Sequence, residues 1–141
     1  MITEPVEITI PLRPFTKKNS SRIVKTKSGV PFLIPSAAYE QYERDCAAFI
    51  RCKGLEVSCP INIRALFYID ADRKCDLSNY FEAIADILVH YHVIEDDHRK
   101  IVAGWDGSRI YVDRANPRTV VTLEPIPQGQ IELDIEATKD F

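Results

Sequence analysis

The run INIRALFYID, residues 61–70, sets Ile61, Ile63, Ala65, Phe67 and Ile69 on alternate positions and stops at Asp70. A period of two sends successive side chains to opposite faces of an extended strand, so this segment demands a sheet with one apolar face to cover. A cover follows directly. In DLSNYFEAIADILVHYHVIEDD, residues 76–97, Tyr80, Ile84, Ile87, Leu88 and Tyr91 recur at helical spacing, with Asp76 at the expected N-cap. Ser78, Glu82 and Asp86 are spaced four apart and share another side of that helix.

The rest of the chain supplies further strands and one more helix. Val6, Ile8 and Ile10 alternate with Glu7 and Thr9, and VPFLI at 30–34 is a second candidate strand. Ser36 is placed to cap a helix carrying Tyr39, Tyr42, Cys46, Phe49 and Ile50, with Gly54 as its expected stop. KIVAGW and SRIYV flank Asp106-Gly107, the strongest short-range signal for a hairpin, and RTVVTLEPI fits a last strand. This order predicts an α+β domain with a mixed or mostly antiparallel sheet and two main helices packed on one face. A chain of 141 residues is expected to form one domain over 1–126, with an acidic C-terminal tail over 127–141.

Composition excludes several classes. With 45% hydrophobic and 28% charged residues the chain is that of an ordinary globular protein, and no apolar run approaches a membrane span. The start, MITEPVEITI, lacks a basic stretch followed by an apolar core, so a cytoplasmic location is expected. The cysteines at 46, 52, 59 and 75 lack C-x-x-C spacing and read as reduced thiols. His90 and His92 leave different sides of a helix, which argues against a zinc site with Cys75. The net charge of −3 conceals an asymmetry: RPFTKKNSSRIVKTK, residues 13–27, has six basic residues and no acid, whereas the last eleven residues have four acids against one lysine. A local basic run holds phosphates through the field at the site, whatever the net charge.

The acids pose the chemical question. Asp96 beside Asp97 is costly unless water or a cation screens the pair. Magnesium prefers hard oxygen ligands and takes one or two carboxylates before binding a substrate phosphate, which suits Asp76 with Asp96 or Asp97. Such an ion polarises a phosphoryl oxygen and acidifies a bound water, the chemistry of phosphodiester hydrolysis. Taken singly, the same residues have ordinary roles: Asp76 as a cap, Glu82 and Asp86 as a solvated helix face, Asp96-Asp97 as a polar turn.

The pattern Asp76-Leu77-x-Asn79, Asp86 ten residues after Asp76, then Asp96-Asp97 opening a strand, resembles the RusA-type Holliday junction resolvases. ITIPLRPFTKKNS resembles the family's opening strand and polar loop, IPSAAYEQYERD its first helix, and DGSRIYVDRANPR a segment of one branch. The likeness covers residues 5–124. It implies a homodimeric, magnesium-dependent endonuclease, with manganese as a substitute ion, that hydrolyses phosphodiesters at four-way DNA junctions in recombination and repair, of a kind often carried by phages and prophages. On this resemblance Asp76, Asp96 and Asp97 are expected metal ligands, Glu82 a further ligand or base, and Asn79 an orienting amide. Lys17, Lys18, Arg109 and Arg118 are expected to contact phosphate.

Two positions depart from the family pattern. Where well-known members have a second metal-binding aspartate and a catalytic lysine, this chain has Ser78 and Glu82. Three explanations stand. Glu82 supplies the missing carboxylate from the next turn while Arg73 or Lys74 replaces the lost cation; or Asp76, Asp96 and Asp97 suffice; or the chain is a catalytically inactive homologue that binds branched DNA without cutting it. A helix over 77–90 is about 21 Å long, so Asp97 meets Asp76 only if YHVIEDD runs back along it. Otherwise Asp97 sits beside Asp86, or the site takes in another subunit.

Overall fold

A computed structural model describes residues 2–17, 21–25 and 27–127. Its elements are β1 (Val6–Ile10), β2 (Ser21–Lys25), β3 (Pro31–Pro35), α1 (Ala37–Cys46), β4 (Ile61–Ile69), α2 (Leu77–His90), β5 (Val102–Gly104), β6 (Arg109–Val112) and β7 (Arg118–Pro125). The main sheet has the order β1-β7-β4, with β5 and β6 both on the far side of β4. β7 runs antiparallel to β1 and β4, whereas β5 and β6 run parallel to β4. The sheet is therefore mixed, and the α+β reading holds.

The topology follows from the sequence at β4. A parallel neighbour cannot be reached by a tight turn and needs a crossover of a dozen or more residues, usually a helix. α2 is that crossover. Its buried residues, Tyr80, Ala83, Ile84, Ala85, Ile87 and Leu88, cover the apolar row of β4, every member of which is buried. Phe67, only 2% exposed, packs its ring 5.1 Å from Tyr80 and 6.2 Å from Phe81. Truncating a ring in such a position costs about 3–5 kcal/mol. α1 lies on the same side: the Tyr39 hydroxyl donates to the Ala83 carbonyl at 3.4 Å and the Tyr91 hydroxyl to that of Glu43.

Four local expectations change. The Asp106-Gly107 turn forms, with Ser108 N–H donating to Trp105 C=O at 3.2 Å and Gly107 at φ +83°, yet β5 and β6 do not pair with each other. They are two parts of one line along β4, separated by the turn. Side chains stand in for the broken ladder there. Asn62 Nδ2 donates to Asp106 C=O (3.1 Å), Asn62 Oδ1 accepts from Asp106 N–H (2.8 Å), and Ser108 Oγ accepts from Ala65 N–H (2.9 Å). α1 stops at Cys46 rather than running to Gly54; Ala47–Phe49 form a turn, and Gly54, at φ +79°, belongs to a later one. Ser36 caps α1 as expected, accepting from Tyr39 N–H at 3.1 Å. Asp76 occupies the N-cap of α2 but makes no capping hydrogen bond through its side chain. The basic run is not all loop: Ser21–Lys25 pairs antiparallel with Pro31–Pro35 in a separate two-stranded sheet. The four cysteines are free thiols, Cys46 buried and the others half-buried. Among the described residues no helix is long and apolar enough to cross a membrane.

Candidate active site

α2 returns antiparallel to β4, and that direction fixes where the acids fall. β4 ends at Ile69, and Asp70 and Asp76 follow before α2 begins. Beyond α2 the chain passes Ile94, which bridges to Val57 just ahead of β4, and Ile101, whose carbonyl accepts from Ile61 N–H at 2.8 Å. Asp96 and Asp97 lie between those two anchors. Asp76 thus belongs to the carboxyl end of β4, and Asp96-Asp97 start from its amino end.

At the carboxyl end, Asp70 is held by Arg73 Nη1 at 3.0 Å and Arg13 Nε at 3.5 Å. The Arg73 hydrogen bond draws the Asp70 carboxyl below its ordinary range, with the Arg13 charge adding to it. Arg73 also reaches the Tyr80 hydroxyl at 3.5 Å, so this guanidinium already has partners. The Asp76 carboxylate makes no hydrogen bond or ion pair with any described residue, and its backbone carbonyl accepts from Asn79 N–H. Glu82 is exposed, a turn and a half further along α2.

A second group forms around the later half of α2. Lys17 Nζ stands 2.8 Å from Asp86 and 5.6 Å from the centre of the Tyr39 ring. The Tyr39 hydroxyl is pushed well above its ordinary range, first by burial and then by the charges of Glu43 and Asp86. Asp97 N–H donates to the Asp96 carboxylate at 2.7 Å. The Asp97 carboxyl is raised above its usual range, first by partial desolvation, then by hydrogen bonding to Asp96 and by the charges of Asp96 and Asp86. Asp86 is thereby the acid that Asp97 approaches, the arrangement that helix length left open if the chain after α2 does not run back to Asp76.

Among the described residues no three of His, Cys, Asp and Glu are grouped as a metal cage. Asp76, Asp96 and Asp97 are thus not gathered into one three-ligand group among the described residues. The donor chemistry still fits magnesium, which needs only one or two carboxylates when phosphate oxygens and waters complete its shell. His90 and His92 do not take part; they face Glu43 at 3.7 Å and Glu56 at 2.8 Å.

The expected phosphate contacts differ in their freedom. Arg109 is exposed on β6 and makes no ion pair among the described residues. Arg118 is held by Asp113 at 2.9 Å and lies 3.7 Å over the centre of the Tyr68 ring. Lys17 is engaged with Asp86, and Lys18 lies outside the described residues. Clefts of about 480 Å³ beside β1 and about 720 Å³ over Asn62 and Arg64 are not lined by Asp76, Glu82, Asp96 or Asp97. The acids stand on open surface, where a small substrate would not be enclosed but a polymer can lie across them.

The chain is a mixed-sheet α+β domain whose crossover helix carries carboxylates near both ends on open surface. The family model described as endodeoxyribonuclease RusA matches residues 11–124, well over half of the 141-residue chain, and the chain belongs to that family. No curated protein matches the chain. Membership places it in a family of endodeoxyribonucleases.

Proposed function

We propose that the protein is a homodimeric, magnesium-dependent crossover junction endonuclease that hydrolyses phosphodiester bonds at four-way DNA junctions, in which each chain contributes two half-sites. The observation that carries this reading is the spread of acids along α2: Asp76 at its start, Asp86 on its later half and Asp96-Asp97 beyond its end, with no three carboxylates grouped as a metal cage among the described residues. A second copy, or the phosphates of the DNA, completes the oxygen shell. Closed two-fold assembly suits paired nicks in strands of like polarity.

Asp76, Asp96 and Asp97 would hold the ion, which when bound supplies Lewis acidity to the phosphoryl oxygen and a low-pKa water. Manganese serves the same donors. The raised Asp97 carboxyl reflects a crowding of negative charge that a cation relieves. Glu82, exposed, is a further ligand or base, and Asn79 orients a carboxylate or water through its amide. Lys17 brings a cation to the Asp86 side of α2 and offsets the charge that Glu82, in place of the family's lysine, adds. Lys18 and Arg109 contact phosphate, and Arg118 acts from its seat on Tyr68.

The test is a labelled four-way junction incubated with and without magnesium or manganese. Symmetric nicks that need the ion and vanish in Asp76→Asn and Asp97→Asn support the reading. Tight junction binding with no cleavage under either ion would instead support the inactive branched-DNA-binding homologue, a reading favoured by Ser78 and Glu82. Phosphate-driven binding also weakens steeply with salt.

A further inference from the structure

The face of the sheet turned away from the helices carries an ordered stack that the acids do not use. Pairing across the strands sets Arg118 beside Tyr68 and Tyr68 beside Tyr111, all projecting to the outer side. The Tyr68 and Tyr111 rings lie 5.3 Å apart at an interplanar angle of 20°, and the Arg118 guanidinium covers Tyr68 at 3.7 Å. Asp113 fixes that guanidinium at 2.9 Å, and Asn116 C=O accepts from the same nitrogen at 2.9 Å. The stack is thus built from the middle of the sheet outward, and it ends in the open. Tyr111 lies on β6, beyond which no described strand pairs, and is 43% exposed.

We propose that Tyr111, backed by Tyr68 and Arg118, is a stacking platform for an unpaired nucleobase of the DNA, with Arg109 taking the neighbouring phosphate. Arg109 is two residues earlier on the same strand and so projects to the same side, about 6.6 Å along it. It is exposed and has no ion pair among the described residues, as is Arg114 beyond the end of β6. The nearby acid, Asp113, is already neutralised by Arg118. An aromatic ring beside free arginines suits a base with its phosphate better than an apolar protein surface does. Its position also suits the half-site reading. Asp113 N–H donates to Ile69 C=O at 2.9 Å, so the stack lies at the carboxyl end of β4, the end at which Asp76 and α2 begin. At the exchange point of a branched duplex, bases leave their stack at low cost, and the platform would receive one there. The inference rests on DNA being the ligand of this chain, and it does not require that the chain cut it.

The experiment uses the full-length protein and two fluorescein-labelled probes of equal length: an oligothymidylate and its abasic counterpart, which keeps the phosphates and lacks bases. The wild-type chain is expected to bind the oligothymidylate more tightly. Tyr111→Ala should weaken that binding roughly tenfold or more and leave the abasic probe unaffected. Tyr111→Phe should match the wild type, and the indole fluorescence of Tyr111→Trp should be quenched by the oligothymidylate alone. Binding of oligothymidylate by Tyr111→Ala within twofold of the wild type overturns the proposal. So does a loss of dimer in Tyr111→Ala at unchanged affinity per chain, which would show that the ring meets a second copy. Junction cleavage, measured in parallel with magnesium, reports separately on the acids: its absence in the wild type with Tyr111-dependent binding intact would fail the nuclease reading and not this one.

Discussion

Lys17 sets its ammonium 2.8 Å from the carboxylate of Asp86, tying the segment after β1 to the exposed flank of α2. Both side chains are about one third exposed, so water screens the pair and its own stability is small. A double-mutant cycle of Lys17→Met with Asp86→Asn should give a coupling of about 0.2–1 kcal/mol in urea unfolding. The larger effect is expected on cleavage. Lys17→Met, which removes the ammonium that faces Asp86, should lower the junction-cutting rate about tenfold or more, with Lys17→Arg keeping most of it. Wild-type rates in Lys17→Met would assign the lysine to the fold alone.

Asn62 is the side chain on which the broken strand depends. It both donates to and accepts from Asp106 and also donates to Glu124 Oε1 at 2.9 Å. Asn62→Ala leaves the Asp106 backbone groups without these partners and should lower stability by about 1–3 kcal/mol. Asn62→Asp keeps the acceptor, loses both donors and faces the Glu124 carboxylate, so it should be the worse of the two. Gly107→Ala should also destabilise, because φ +83° disfavours a side chain and a Cβ there meets Arg64 Cδ at 3.0 Å. Thermal midpoints that leave the Asn62 variants level with the wild type would mean that the turn stands without them.

The same turn shows what was legible in the sequence. Asp106-Gly107 announces a reversal by its φ preference, a local property, and the turn is there; which strand the flanking segments join is set by distant competition for the edge of β4, which two residues cannot encode. The alternation in β4 and the apolar side of α2 were readable because burial imposes a period. Asp76 was placed correctly at the N-cap, but a cap position does not dictate where the side chain points. Helix length set the condition, that Asp97 meets Asp76 only if residues 91–97 run back along α2, but not which way the chain turns. The stack of Arg118, Tyr68 and Tyr111 was invisible, since it draws on three strands and on a register that only the sheet defines.

The stack should also respond to acid. Arg118 holds the Asp113 carboxyl below its ordinary value near 3.8, chiefly through their hydrogen bond. A carboxyl depressed in the folded chain contributes stability that is complete above its unfolded value and lost as pH falls through its folded value. The pair should therefore be intact at neutral pH and fail only below about pH 3.8. A carboxyl carbon titration by NMR should place the Asp113 midpoint below 3.8, and Arg118→Gln should return it toward that value. A midpoint at or above 3.8 in the wild type would mean that Arg118 is not held as described.

The half-site reading makes a prediction that a self-contained active site does not. If the ion is shared between Asp76 of one chain and Asp97 of the other, a homodimer of Asp76→Asn has both sites damaged, as does one of Asp97→Asn. In a mixed dimer of the two variants, one site collects both substitutions and the other collects none. Unfolding the variants together and refolding them as an equimolar mixture should therefore restore nicking of a four-way junction. Half of the dimers would be mixed at random pairing, each with one intact site, so the mixture should recover about a quarter of the wild-type nicks per chain, made in one strand at a time. Were each chain to hold its own ion, every site in every dimer would carry one substitution, and refolding together would restore nothing.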